Sequence, residues 1–318
     1  MITIIIILAV LIDLLLGDPA CIIHPVEIIG KLILVLQKSI ENIAKENKLK
    51  LRIGGLLMTL LIVFISILAG WSIERLALSN TIPYGIGKLL LLTGLASSLA
   101  AKSLRESVLN VLGEIPRRDN FESKELEKAR TNLSKIVGRD VQYLGKNEIL
   151  RASAETASEN SVDGVFAPLF WIMIGAINWK FNYILPGPLS LAWTYKSVST
   201  IDSMIGYKKG ALLWLGNAGA KLDDYLTWIP ARLVLITMPL ICKPWTQAKV
   251  IIIKAWKDGI QDQSPNSGLS ESIFAHCTET RMGGANQYFG ESIEKPVLAA
   301  EAPIASYRSI RNILDLSL

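Results

Sequence analysis

Cysteine and histidine are scarce in this chain: 318 residues hold three cysteines, Cys21, Cys242 and Cys277, and two histidines, His24 and His276. No C-x-x-C pair occurs, so neither a disulfide framework nor a zinc site is indicated, and the thiols are expected to be inert. With so few imidazoles, any bound metal is expected to be a hard cation held by carboxylates. There is also no dense Lys/Arg tract interleaved with aromatics, which sets nucleic acid aside in spite of a net charge of +5. That mild excess suits anionic lipid headgroups or phosphorylated ligands instead. No basic segment precedes the first apolar run, residues 1–16, and Gly17-Asp18-Pro19-Ala20 lacks a small-x-small cleavage pattern, so the run is expected to be a retained span rather than a signal peptide. Neither an internal repeat nor a low-complexity tract is present.

What the sequence does have is apolar surface. At 51% hydrophobic and 19% charged residues, it is too apolar for an ordinary soluble domain and more charged than a bare bundle of spans. Residues 53–73 carry no charge and are long enough to cross roughly 30 Å of hydrocarbon as a helix. Further apolar segments are expected at 86–101, at 164–195 and at 225–242. The 164–195 segment reads as two short stretches turning near Pro186-Gly187-Pro188, and hydropathy leaves open whether this hairpin crosses or re-enters. Between them, residues 102–162 mix both charges densely and are expected to be a helical cytoplasmic loop, as are residues 38–52, because Lys and Arg accumulate on the cytoplasmic side. The tail, 243–318, is expected to be cytoplasmic too, with loops at 264–268 and 282–290. The whole reads as a single all-α, polytopic membrane domain.

Four polar clusters could carry chemistry. Arg151, Glu155, Glu159 and Asp163 recur every four residues, forming one helical stripe that concentrates three carboxylates, a donor set suited to Mg²⁺ together with substrate phosphates. An exposed face laced with ion pairs explains the same spacing equally well. Tyr195-Lys196 is followed by Asp202, Ser203, Tyr207, Lys208 and Lys209, where lysines could hold phosphate or simply anchor the chain beside a membrane. Lys221, Asp223 and Asp224 lead into the segment that contains Pro230 and Arg232. An arginine at membrane depth is costly unless it faces protein, water or phosphate. Finally, Asp13 lies inside the first apolar run, with Asp18 and His24 after it; an ionisable residue within a span is a functional candidate, against the plainer reading of an acid snorkelling to the interface.

Five strings, in order, resemble the adenosylcobinamide-phosphate synthase family (CbiB/CobD) of cobalamin biosynthesis: LIDLLLGDPACIIHP at 11–25, VGRD at 137–140, RASAETASENSVDGVFAPLFW at 151–171, YKSVSTIDSMIGYK at 195–208 and LDDYLTWIPARL at 222–233. The chain departs from that family at Ser199 and Thr227, where Asn is usual. It departs again at 264–271, where SPNSGLSE lacks the aromatic and second proline of the usual pattern, and at His276 and Cys277, where small residues are usual. The resemblance implies an ATP-dependent ligase on the cytoplasmic face of the cell membrane. It would join the carboxylate of adenosylcobyric acid to the amine of 1-amino-2-propanol phosphate or a similar amino-alcohol phosphate, with the corrinoid as substrate. It further implies ATP and Mg²⁺, with Glu155, Glu159, Asp163 and Asp224 as metal ligands. Arg151, Lys196, Ser203, Tyr207, Lys208, Arg232 and Asn266 would bind substrate and phosphate, and Asp202, Asp223 and Lys196 would be catalytic. Membrane lipid and either further copies or other enzymes of the same pathway are the expected partners. Two other readings compete: a transporter of a corrinoid or small anionic metabolite, and a catalytically silent membrane scaffold or sensor.

Overall fold

The computed structural model describes residues 2–17, 24–79, 83–118, 120 and 122–317; Asp18 and Cys21 lie outside them. The fold is helical. In chain order come α1 (Ile2–Leu15), α2 (Pro25–Ala44), α3 (Lys48–Leu78), α4 (Tyr84–Ala96), α5 (Ala101–Gly113) and α6 (Glu127–Leu133). Then follow α7 (Lys146–Ser161), a π-helical turn (Val162–Phe166), α8 (Ala167–Phe181), α9 (Pro188–Ile205), α10 (Leu212–Leu215) and α11 (Asn217–Cys242). The chain ends with α12 (Trp245–Gly259), α13 (Ser267–Thr278), an antiparallel hairpin of β1 (Met282–Tyr288) and β2 (Glu291–Leu298), and α14 (Tyr307–Leu316).

Among the described residues, three helices are long and apolar enough to cross a membrane: α3, the stretch Lys146–Phe181 and α11, with α1 a shorter apolar helix. Their outward residues are large and apolar, as Leu57, Phe64, Met173 and Ile236 illustrate, which is what a helix facing lipid presents. The segment expected as a charged loop, 102–162, is built of α5, α6 and α7 around a short 3-10 turn, Ser123–Leu126. The expected loop at 282–290 is instead largely β1. Its glycines, Gly283 and Gly284, have φ of 82° and 93° and stand at the register shift where β2 carries an extra residue at 296–297, so residues that read as loop punctuation serve a strand irregularity. Expected to end at 195, the second arm of the apolar hairpin continues as α9 to Ile205.

The chain forms two compact units. The first comprises residues 1–100 and 166–227, with α3 and α9 packed at its centre. One apolar core joins α1, α4, α8 and α9 through Ile5, Leu91, Leu95, Ile172 and Leu189; another joins α2, α3, α9 and α10 through Ile33, Met58, Ile62, Ile201 and Leu215. Close approach depends on glycine at Gly70, where a Cβ would lie 2.6 Å from the Ser190 Cα. The second unit comprises residues 101–165 and 228–318. Here α13 is buried along almost its whole length, packed on α7 and α12, and α14 also lies on α7.

In the first unit, Glu74 is fully buried, yet both of its oxygens are satisfied. Oε1 accepts from the backbone N–H of Leu189 and Ser190 at 2.8 and 2.9 Å; Oε2 accepts from Gly187 N–H at 2.9 Å and Ser190 Oγ at 2.7 Å. The start of α9 exposes N–H groups with no partner in their own helix, and Pro188 supplies none. A carboxylate donated by α3 therefore caps α9 at its positive dipole end and fixes the turn between α8 and α9. Replacing Glu74 by Ala leaves buried donors unpaired, at about 1–3 kcal/mol each. The variant is expected to unfold several degrees below wild type in detergent; an unchanged midpoint contradicts the capping role.

Candidate active site

The second unit holds a buried network of charge. From α7, Glu155 is fully buried between two arginines: Oε2 meets Arg139 Nη2 at 2.5 Å and Oε1 meets Arg151 Nη1 at 3.4 Å, while Gly283 N–H donates to Oε1 at 2.8 Å. Arg139 also donates to Asn286 Oδ1 at 2.7 Å, and Arg151 donates to the carbonyls of Gly283 and Ala285 at 2.5 and 2.8 Å. Thus both arginines bind strand β1 to α7. A second focus adjoins the first: Lys295 Nζ lies 2.9 Å from Glu271 Oε1 and 3.7 Å from Asp262, with Glu159 close enough to act on both Lys295 and Glu271 electrostatically.

The charges do not balance. Glu155, Glu159, Asp262 and Glu271 give four carboxylates against the three cations Arg139, Arg151 and Lys295. Burial above all, and then the neighbouring Glu155 and Glu159, push the Glu271 carboxyl up to about 7, whereas the surrounding acids hold the Lys295 ammonium above its ordinary value. Glu271 is therefore the group that takes up a proton near neutrality.

Three clefts lie on this unit, two of them at the network. Arg139 lines two of them, one of about 570 Å³ with Lys124, Arg130, Ser134 and Asp140, and a smaller one of about 140 Å³ with Tyr143, Asn286 and Ser292. A third, of about 910 Å³, shares Lys124, Glu127 and Thr131 with the first and adds Arg117, Arg118 and Lys128. Arg118 is paired with Glu125, and Arg130 donates to Leu144 and Ser123. Arg117, Lys124 and Lys128 form no ion pair among the described residues. The clefts thus offer cations to a phosphorylated ligand.

The expected site residues divide between the units. In the second unit, Arg151 and Glu155 are joined, with Glu159 one turn further on and half-buried. Asp163 falls in the π turn that follows α7 and is half-buried. Glu155 gives its oxygens to two arginines and a backbone N–H, and Arg151 clamps β1. Arg232 likewise donates to Asn266 Oδ1 at 3.0 Å and Pro265 O at 3.2 Å, stacked 4.2 Å over Trp228, so it positions the 264–266 turn. Among the described residues no group of three or more His, Cys, Asp or Glu is placed to hold a metal by itself.

In the first unit, Lys196, Asp202 and Ser203 share α9, with Tyr207 and Lys208 just beyond it. Lys208 acts electrostatically on Asp224 of α11, next to Asp223. Asp202 packs against Gly206, leaving no room for a side chain there. Asp13 is buried in α1, and His24 caps α2 through Nδ1, which accepts from Val26 N–H at 3.3 Å. Thr227, one of the atypical positions, hydrogen-bonds Tyr195 Oη at 3.1 Å.

The other atypical positions have local explanations. Leu269 and Ser270 are buried in α13; His276 Nε2 lies 2.7 Å from Asp258, which also accepts from Ala299 N–H at 3.1 Å. Burial pushes the Cys277 thiol up, in keeping with an inert cysteine. Sequence reasoning passed over Glu74, Asp262, Asn286 and Lys295, and quoted Arg139 and Glu271 only as parts of motifs. For Lys295 no local signal exists, since its partners lie on α13 and in the preceding turn.

A pH test follows from Glu271. Its proton is held more tightly in the folded protein, so its stabilising contribution is complete below 4.5 and is lost as pH rises through about 7. The unfolding midpoint of wild type is expected to fall relative to that of Glu271→Gln across this window and to run parallel above it. A difference independent of pH contradicts the assignment.

Comparison with known proteins gives the family. The family described as CobD/Cbib protein matches residues 6–317. A cobalamin biosynthesis protein CobD of Synechocystis sp. is 37% identical over 289 residues, covering 91% of this chain and 79% of its own. That of Geobacter metallireducens is 40% identical over 294 residues, covering 91% and 84%. A cobalamin biosynthesis protein CbiB of Salmonella typhi is 34% identical over 294 residues, again covering 91% and 84%. No solved structure matches the chain. With the match running through both compact units and every helix of the buried network, the chain belongs to the CobD/Cbib protein family.

Proposed function

We propose that this protein acts in cobalamin biosynthesis as an adenosylcobinamide-phosphate synthase, ligating adenosylcobyric acid to 1-amino-2-propanol phosphate or a close relative at the expense of ATP. The observation that carries the reading is the family match over residues 6–317 together with a buried charge network bordered by cationic clefts. A carboxylate is a poor electrophile. Transfer of the ATP γ-phosphoryl group to it gives an acyl phosphate and ADP; the amine then forms the C–N bond as inorganic phosphate leaves, and the surplus ammonium proton passes to a base.

The chain's own residues fit these needs. Lys124, Lys128 and Arg117 would offer positive charge to phosphate groups in the second unit, and Lys196 and Lys208 would do so in the first, with Ser203 and Tyr207. Asp202 or Asp223 would take the proton from the attacking nitrogen. When bound, magnesium neutralises charge on the triphosphate; Glu159 and Asp163, half-buried carboxylates, would hold it with the nucleotide's own oxygens, as Mg²⁺ sites commonly do, and Asp224 is the corresponding donor in the first unit. Glu155 does not fit that role, its oxygens being committed to Arg139, Arg151 and Gly283. The apolar helices α3, Lys146–Phe181 and α11 support a membrane protein, and the excess of Lys and Arg in the charged second unit favours a cytoplasmic location for it.

The test is reconstituted ligation by purified protein in detergent, omitting each cosubstrate in turn. Product is expected only with ATP, Mg²⁺, the corrinoid acid and the amino-alcohol phosphate all present. Glu159→Gln is expected to lower kcat by about 100-fold, and Lys196→Met to act mainly on KM. Ligation without ATP, or corrinoid uptake by proteoliposomes without ligation, overturns the proposal.

A further inference from the structure

Helix α12 is built inside out relative to a helix of a soluble domain. Its buried face is small: Ala248, Ala255 and Gly259, the last in backbone contact with Gly268 of α13. The large apolar residues point outward instead, with Trp245 74%, Val250 51%, Ile253 47%, Trp256 42% and Ile260 55% exposed. At 100° per residue, Trp245, Ile253, Trp256 and Ile260 fall within about a quarter turn of one another, with Val250 about 60° beyond that arc. Lys249, Lys254 and Lys257 are exposed around the same face. The helix's one acid, Asp258, is engaged by His276.

Two residues, Lys243 and Pro244, separate α12 from α11, which is long and apolar enough to cross a membrane. The later half of α11 likewise turns Ile229, Leu233, Ile236 and Ile241 outward. Arg232 bridges the two helices, 4.2 Å over the Trp228 ring and 5.9 Å over that of Trp256. Half-exposed tryptophans beside a cation, with lysines free to reach outward, are the residue types of the lipid–water boundary. Water would gain nothing from this face, and the excess of lysine selects an anionic surface.

We propose that α12 is a membrane-surface helix whose Trp245, Ile253, Trp256 and Ile260 face rests in the headgroup–acyl boundary while Lys249, Lys254 and Lys257 bind anionic lipid phosphates. This part of the chain is therefore not a freely solvated tail. The surface does not depend on the ligase reading.

The test uses the full chain reconstituted in vesicles of phosphatidylcholine, with or without phosphatidylglycerol. A benzophenone-bearing amino acid is placed at Ile253, at Ile260 and, as a control on the exposed β-hairpin, at Glu291. Irradiation is expected to yield lipid adducts at Ile253 and Ile260 and none at Glu291, with phosphatidylglycerol adducts enriched about five-fold over its share of the lipid. Lys249→Glu, Lys254→Glu and Lys257→Glu together are expected to abolish the enrichment. Adducts to a second copy of the chain would make the face a subunit interface, and no adducts at Ile253 would make it solvent-facing; either result overturns the proposal.

Discussion

A single buried carboxylate, Glu155, organises the polar half of this protein. It meets Arg139 from the loop before α7, Arg151 from α7 itself and the N–H of Gly283 on β1, so one side chain ties three separate stretches together. Removing two or three charged groups from water costs several kcal/mol per ion, and only close geometry with further hydrogen bonds recovers it. That recovery is visible here. Arg139 is completed by Asn286, and Arg151 by two strand carbonyls. The positive φ at Gly283 and Gly284 lets β1 bend its backbone toward the carboxylate, so a pair of glycines is as much a part of the ion network as the arginines.

The apolar half solves the matching problem with the same device. Where α9 begins among apolar helices, Glu74 supplies four hydrogen bonds to groups that have no water to turn to. In both halves a buried acid is stable because its partners are backbone donors or arginines fixed by the fold. The groups proposed to react are the less buried ones: Glu159 and Asp163 on and just after α7, Lys196 and Asp202 on α9, and the lysines of the open clefts. Scaffold and proposed chemistry thereby fall to different carboxylates, and the excess negative charge is relieved by the proton that Glu271 holds.

The helical class, the apolar segments and the stripe of Arg151, Glu155 and Glu159 were legible in the sequence, because hydropathy and a four-residue spacing are local properties. The roles within the stripe were not. Nothing near Glu155 announces that its partners sit at Arg139 and Gly283, and nothing near Lys295 points to Glu271 or Asp262. Glu74 escaped notice for a different reason: it stands one residue beyond the uncharged run 53–73, where an acid reads as the edge of a span. The glycines of 283–284 were legible as irregular backbone, but only the fold shows that the irregularity is a strand bulge. In α12 the mixture of lysine with apolar residues read as part of a solvated tail, because the sequence does not reveal that Ala248, Ala255 and Gly259 are its buried side.

The central claim is that Glu155 and Arg139 are energetically one unit, and a double-mutant cycle addresses it most directly. Arg139→Met, Glu155→Gln and the double variant would be compared with wild type by reversible unfolding in mixed micelles. Each single change should cost about 3–5 kcal/mol, because it strands a buried charge, and the double should cost clearly less than their sum, leaving a coupling of at least about 1.5 kcal/mol. Additive losses, within about 0.5 kcal/mol, would contradict the account.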